Sequence, residues 1–170
     1  MITIREMTES DATAASRIVS ECYRFIAGPD GFTNAQLDAL LRERCRPDQM
    51  VAMRSQFQCF VAKIENEVVG LLALDGNSIE ELFVPPARHR QGVGSALLRH
   101  AERRVHAGGY LRMTVSTTGY GRPFYETMGM HVVGTSRVTF GPLAGRDLVM
   151  LEKDIGPTMR IQPTLADSRG

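Results

Sequence analysis

The run Val84-Pro85-Pro86-Ala87-Arg88-His89-Arg90-Gln91-Gly92-Val93-Gly94-Ser95 sets three basic side chains beside two glycines, ahead of apolar residues at helical spacing. Where a helix opens, its first backbone N–H groups lack partners within the helix, and the macrodipole adds partial positive charge. Glycine removes the Cβ that would hold an anion away from that backbone. The chemistry this suits is binding of a phosphate or pyrophosphate. A tight connecting turn can carry the same Gly-x-Gly fragment. The flanks favour a ligand site: a strand before, an amphipathic helix after, and Arg88, His89 and Arg90 between them. The third glycine of a dinucleotide fingerprint is missing, as is the Gly-Lys-Ser/Thr of a Walker loop.

A second run, Arg122-Pro123-Phe124-Tyr125-Glu126-Thr127-Met128-Gly129-Met130, places a tyrosine on a short helix with Pro at its start and Gly at its end. Such a tyrosine can be a half-buried core residue. Its phenol, with a pKa of about 10, can also protonate a thiolate leaving group of pKa about 8–9, which is general-acid chemistry. The adjacent carboxylates Glu80 and Glu81 sit on a strand, whose alternation sends them to opposite faces. At most one can therefore face a ligand on a given side of the sheet, and both can equally be solvated charges at a sheet edge.

Other chemistry-bearing residues are less organised. Cys22, Cys45 and Cys59 are odd in number and lack ligand-like spacing, so free thiols in a reducing compartment and no metal site are expected. His100 and His106 fall on or near a polar helix face and are expected at the surface. Met50, Met53, Met113, Met128 and Met130 read as core filler. Tyr23, Phe25 and Phe32 can line a ligand pocket or simply pack the core.

The elements that must position these residues follow from periodicity. Ile2–Arg5 alternates like a short strand, and capping boxes at Thr8-x-x-Asp11 and Thr33-x-x-Gln36 open two helices, the second fading near Arg46-Pro47. Cys59–Ile64 and Val68–Leu74 form a hairpin about Glu65-Asn66-Glu67, and Ile79–Val84 makes a third strand. The next helix puts Val93, Leu97, Ala101 and Val105 on one stripe and ends at Gly108-Gly109. A strand over Leu111–Val115, a loop from Thr117 to Gly121, the tyrosine helix, and strands about Met130–Thr139 and Asp147–Lys153 complete the order β-αα-βββ-α-β-α-ββ. That order predicts a mixed α/β sheet with helices on both faces. The tail from Gly156 has little periodicity and is expected to be irregular or wrapped on a neighbour.

Composition bounds the function classes. A chain of 170 residues, 43% apolar and 23% charged, fits one globular domain. Its net charge of +1 argues against a nucleic-acid binder driven by bulk electrostatics. No apolar run approaches the ~18 residues of a membrane span, and the N-terminus lacks a signal pattern. A cytoplasmic protein with no membrane or nucleic-acid partner is expected.

Taken together, the two runs resemble the GNAT superfamily of acyl-CoA-dependent N-acetyltransferases. His89-Arg90-Gln91-Gly92-Val93-Gly94 stands on that family's Gln/Arg-x-x-Gly-x-Gly/Ala motif. Phe124-Tyr125-Glu126-x-x-Gly129-Met130 stands on its Phe-Tyr-Glu-x-x-Gly-Phe signature. The resemblance covers residues 1–154 as an N-acetyltransferase domain and leaves 155–170 as a C-terminal tail. It implies a GNAT fold: a central, mixed, mostly antiparallel sheet of about seven strands with helices on both faces.

The resemblance also implies an acyltransferase that moves an acetyl group from acetyl-CoA, the acyl donor, to a primary amine in a ternary complex, with no metal. The backbone of Leu82, Phe83 and Val84 would pair with the pantetheine arm like an added strand. Arg90, Gln91, Gly92, Val93, Gly94 and Ser95 would cradle the pyrophosphate. Tyr125 would protonate departing coenzyme A, and an amide near Val84 would polarise the thioester carbonyl.

Three positions depart from the family pattern. His89 replaces Gln or Arg, which implies weakened rather than lost binding. Thr118 stands where an Asn is common, and Gly121 holds the small position four before the tyrosine. The strand Leu111–Val115 has no carboxylate, so the base falls to Glu81, with Glu80 or water as alternatives. No cysteine stands where a covalent nucleophile would be needed. The acceptor is a small-molecule or peptide amine, homodimerisation stays open, and the rival readings are a non-catalytic acyl-CoA sensor and a protein N-terminal or lysine acetyltransferase.

Overall fold

The computed structural model describes residues 1–156. Residues 157–170, most of the expected tail, lie outside the described residues.

Two clusters of apolar side chains sandwich one sheet. Strands β1 (Ile2–Glu6), β2 (Gln58–Ile64), β3 (Glu67–Asp75), β4 (Ser78–Phe83), β5 (Arg112–Thr117), β6 (His131–Arg137) and β7 (Asp147–Asp154) lie in the order β1-β2-β3-β4-β5-β7-β6. Every neighbouring pair is antiparallel except β4 with β5. The element order predicts the mixed sheet with helices on both faces, and the seven strands and mostly antiparallel pairing are those that the resemblance implies. Helices α1 (Ala12–Ile26), α2 (Asn34–Arg44) and α3 (Pro47–Gln56) cover one face, around Ile18, Leu40, Val61 and Leu71. Helices α4 (Val93–Ala107) and α5 (Arg122–Thr127) cover the other, around Leu72, Leu97, Met113 and Leu151.

Both expected capping boxes form. Thr33 Oγ1 accepts from the Gln36 N–H at 3.1 Å, and Gln36 Oε1 accepts from the Thr33 N–H at 3.0 Å. Asp11 is buried, and its carboxylate is held well below the usual range, chiefly by a two-pronged bond from Arg5 at 2.7 and 2.9 Å. Burial opposes that shift, and the Thr8 N–H at 2.8 Å reinforces it. The pair ties β1 to the start of α1.

Two expectations need correction. The second predicted helix does end near Arg46-Pro47, at Arg44, but a further helix that the periodicity does not anticipate, α3, begins at Pro47. Pro47 sits at the first helical position, where its missing N–H costs nothing, and Gln49 Oε1 accepts from the Arg46 N–H at 3.0 Å. The apolar signal is short because only Met50 and Met53 reach the core. His106 is exposed as expected, but His100 is partly covered. The His100 ring meets Phe60 edge-on at 4.5 Å, its Nε2 is enclosed without a partner among the described residues, and burial with the nearby Arg103 and Arg104 charges lowers its pKa. The three cysteines are free and buried. Among the described residues, no helix is long and apolar enough to cross a membrane.

Candidate active site

The site arises where β4 and β5 part company. They pair at only two positions, Ser78↔Thr114 and Ile79↔Val115, after which the strands diverge. A register shift between Ala73 and Leu74 in the β3–β4 pairing bends β4 at that level. The result is a cleft of about 770 Å³, walled by Leu82, Phe83 and Val84 on one side and by Thr117–Gly121 and α5 on the other. Among the described residues, no carboxylate lines it, whereas Arg88, His89 and Arg90 do. Such a chamber suits an elongated anion with an apolar arm.

One end of the cleft is the start of α4. Gly92 adopts φ +82° and Arg90 φ +60°, conformations in the left-handed region that are easy for glycine and strained for arginine. The first rung of the helix is the Ala96 N–H on the Gly92 carbonyl at 3.0 Å. The N–H groups of Val93, Gly94 and Ser95 precede that rung, so the helix itself offers them no acceptor. A Cβ on Gly94 would stand 3.2 Å from Phe124 Cε2, so a bare backbone is what lets α5 close against this turn.

The three basic side chains do not act alike. Arg88 is ion-paired with Glu67. His89 Nε2 lies 2.9 Å from the Val84 carbonyl oxygen and turns back onto β4. Arg90 has no ion-pair partner among the described residues, which leaves it as the free cation beside the helix start. Gln91 does not line the cleft; its amide donates to the Ala87 carbonyl at 3.1 Å and braces the turn.

Tyr125 comes from α5 and lines the opposite wall. It is 6% exposed, and its ring packs edge-on against Phe124 at 5.1 Å. Burial, with a contribution from the Glu81 charge, pushes its phenol above the ordinary value, so it stays protonated at neutral pH. Its hydroxyl has no hydrogen-bond partner among the described residues.

Glu80 is exposed, whereas Glu81 is half-buried, and neither lines the cleft wall. Burial pushes the Glu81 carboxyl up to about 7; the Arg44 guanidinium opposes the shift and the Glu80 charge adds to it. A carboxylate poised there can exchange protons at neutral pH.

Some lining residues escape sequence reasoning. Cys22 reaches the cleft from α1, and its thiol donates to the Val84 carbonyl at 3.3 Å. Burial pushes that thiol up to about 12, so it is a donor and not a thiolate. Tyr120 lines the far lip. Of the three aromatics that could have lined a pocket or packed the core, Phe25 lines the cleft. Tyr23 is buried against Phe83 at 5.3 Å, and Phe32 packs on the core beneath the Arg146 guanidinium at 4.8 Å. Alternation and spacing along one strand or helix carry no information about these cross-cleft meetings.

Comparison with known proteins agrees with the fold. A family model described as an acetyltransferase (GNAT) domain matches residues 29–142. A GCN5-related N-acetyltransferase from Rhodopseudomonas palustris superposes with a TM-score of 0.79 at 21% identity, covering 89% of this chain and 94% of that one. The PaiA N-acetyltransferase of Thermoplasma acidophilum, in complex with coenzyme A, gives 0.74 at 20% identity, over 91% and 99% of the two chains. YncA of Salmonella typhimurium, with its cofactor acetyl-CoA, gives 0.67 at 16% identity, over 95% and 98%.

Proposed function

The chain belongs to the GNAT acetyltransferase family and is an acyltransferase enzyme, and from that premise we propose that it moves an acetyl group from acetyl-CoA to a primary amine by direct attack in a ternary complex. The observation that carries this reading is the cleft itself. It holds a helix start with free N–H groups and Arg90 at one end, the diverging edge of β4 along its length, and a protonated, unpartnered phenol on its wall. The domain responsible is residues 1–154.

Each group has a role set by its surroundings. The N–H groups of Val93, Gly94 and Ser95 and the Arg90 side chain hold the pyrophosphate; Gln91 and Gly92 shape that turn. Leu82 and Phe83 present backbone to the pantetheine arm. The Val84 carbonyl already accepts from Cys22 and His89, so the Val84 amide is the group offered there to the polarised thioester oxygen. Tyr125 protonates the departing thiolate. Glu81 takes the proton from the amine, directly or through a water. A covalent acetyl-enzyme is disfavoured because Cys22, the cysteine lining the cleft, is held as a neutral thiol. The chemistry needs no metal.

Steady-state turnover with acetyl-CoA and a panel of small-molecule and peptide amines tests the reading. Acetylation of at least one amine is the expected result. Tight coenzyme A binding with every amine untouched would replace it with a non-catalytic acyl-CoA sensor. Gly94→Val probes the cradle separately. Its Cβ would stand 3.2 Å from Phe124 and its branched methyls would crowd the approach to the turn, so coenzyme A should bind about tenfold more weakly by calorimetry. Wild-type affinity in that variant would move the pyrophosphate away from α4.

A further inference from the structure

Three aromatic rings from three separate elements meet across the mouth of the cleft. Phe25 extends from the last turn of α1, His89 from the turn after β4, and Tyr120 from the loop after β5. The Phe25 ring lies 5.6 Å from His89 and 5.5 Å from Tyr120, edge-on to both. It therefore links the β4 lip to the β5 lip, which the sheet itself leaves unpaired. Phe25 and Tyr120 each remain 41% exposed, so neither ring is placed there to fill the core.

The flanking rings are anchored. His89 Nε2 is 2.9 Å from the Val84 carbonyl oxygen, which fixes its ring over the exit of β4. The Tyr120 N–H donates to Asp30 Oδ1 at 3.0 Å, and Asp30 follows Phe25 by five residues in the α1–α2 loop. Arg146, from the β6–β7 loop, donates to the carbonyls of Asp30 and Gly31 and holds that loop in place. Phe25 is thus the middle ring of a braced arch over the cleft that the anion cradle and Tyr125 also line.

We propose that Phe25 is a positioning residue for the donor, its ring closing a cover between His89 and Tyr120 under which the pantetheine arm is held against β4. This rests on the acyl-CoA reading of the cleft. The arm must run through the cleft from the cradle to the phenol, and the arch joins the β4 and β5 lips of that same cleft. An apolar ring edge packs the dimethyl segment of the arm while leaving its amides to the strand. Removing the ring leaves the chemistry at Tyr125 intact and shortens the lifetime of the bound donor.

The test measures wild type, Phe25→Ala, Phe25→Tyr, Tyr120→Ala and the double variant Phe25→Ala with Tyr120→Ala for coenzyme A binding and dissociation by calorimetry and stopped flow, and for the kcat and KM of acetyl-CoA. Phe25→Ala should raise both the dissociation rate and KM about tenfold, with kcat changed less than about threefold. Phe25→Tyr should restore wild-type values. Tyr120→Ala should weaken binding in wild type but add little to Phe25→Ala, because the two act through one contact. Unchanged KM and dissociation in Phe25→Ala would overturn the proposal, as would a loss confined to kcat or a thermal destabilisation that Phe25→Tyr fails to restore. Failure of the wild type to bind coenzyme A would instead remove the donor reading, and the cover with it.

Discussion

Replacing Tyr125 with Phe is expected to lower kcat for acetyl transfer by about 10²–10⁴-fold, the usual worth of a positioned general acid, with little change in the KM for acetyl-CoA. The ring stays, so the packing against Phe124 stays. The lost hydroxyl has no protein partner among the described residues, so thermal unfolding should match wild type. What is lost is the proton for the leaving thiolate. That makes the penalty depend on the leaving group: an acyl donor whose thiol has a much lower pKa should show a far smaller difference between wild type and Tyr125→Phe. The pH profile adds a check. Burial and the Glu81 charge keep the phenol protonated beyond its ordinary range, so Tyr125 should contribute no falling limb below about pH 10. A variant with undiminished kcat under conditions where chemistry limits the rate would give the protonation to another group or to water.

The sequence makes the two ends of the cleft legible for a simple reason: each is local. A helix start with Gly92 and Gly94 and a short helix bearing Tyr125 are written in neighbouring residues, and the strand–helix order places them on one sheet. The fate of the charged side chains is not local. Arg88, His89 and Arg90 read alike, yet Glu67 takes Arg88 and the Val84 carbonyl takes His89, partners respectively 21 residues away and back across the turn. Gln91 looks like a ligand contact and instead braces Ala87. Helix α3 is hidden because proline marks both a break and a beginning, and only Met50 and Met53 reveal its inward face. The arch of Phe25, His89 and Tyr120 is invisible for the same reason as the Cys22 bond to Val84, since each joins elements far apart in the chain.

Glu81→Gln separates a side-chain base from water, and its two readouts have opposite pH senses. In the folded protein the Glu81 carboxyl is pushed up to about 7 by burial, only partly offset by Arg44. As a base it works when deprotonated, so the slope of log kcat/KM against pH should fall by one unit as pH rises through about 7. The acceptor amine contributes its own rise nearer pH 10, which a second inflection would resolve. Glu81→Gln should remove the inflection near 7 and cost about 10²–10⁴-fold on the plateau. Stability runs the other way. Because the folded-state pKa exceeds the ordinary value of 4.5, the contribution of Glu81 is fully present below that value and is lost as pH rises through about 7. The neutral amide escapes this loss, so the variant's Tm should gain on wild type between pH 5 and pH 8. A retained inflection near 7 with full activity would leave deprotonation to water, while the Tm difference would still report the buried carboxyl. Glu80→Gln, on the exposed face of the same strand, should keep the plateau rate and only lower the inflection, because the Glu80 charge helps to raise the Glu81 carboxyl.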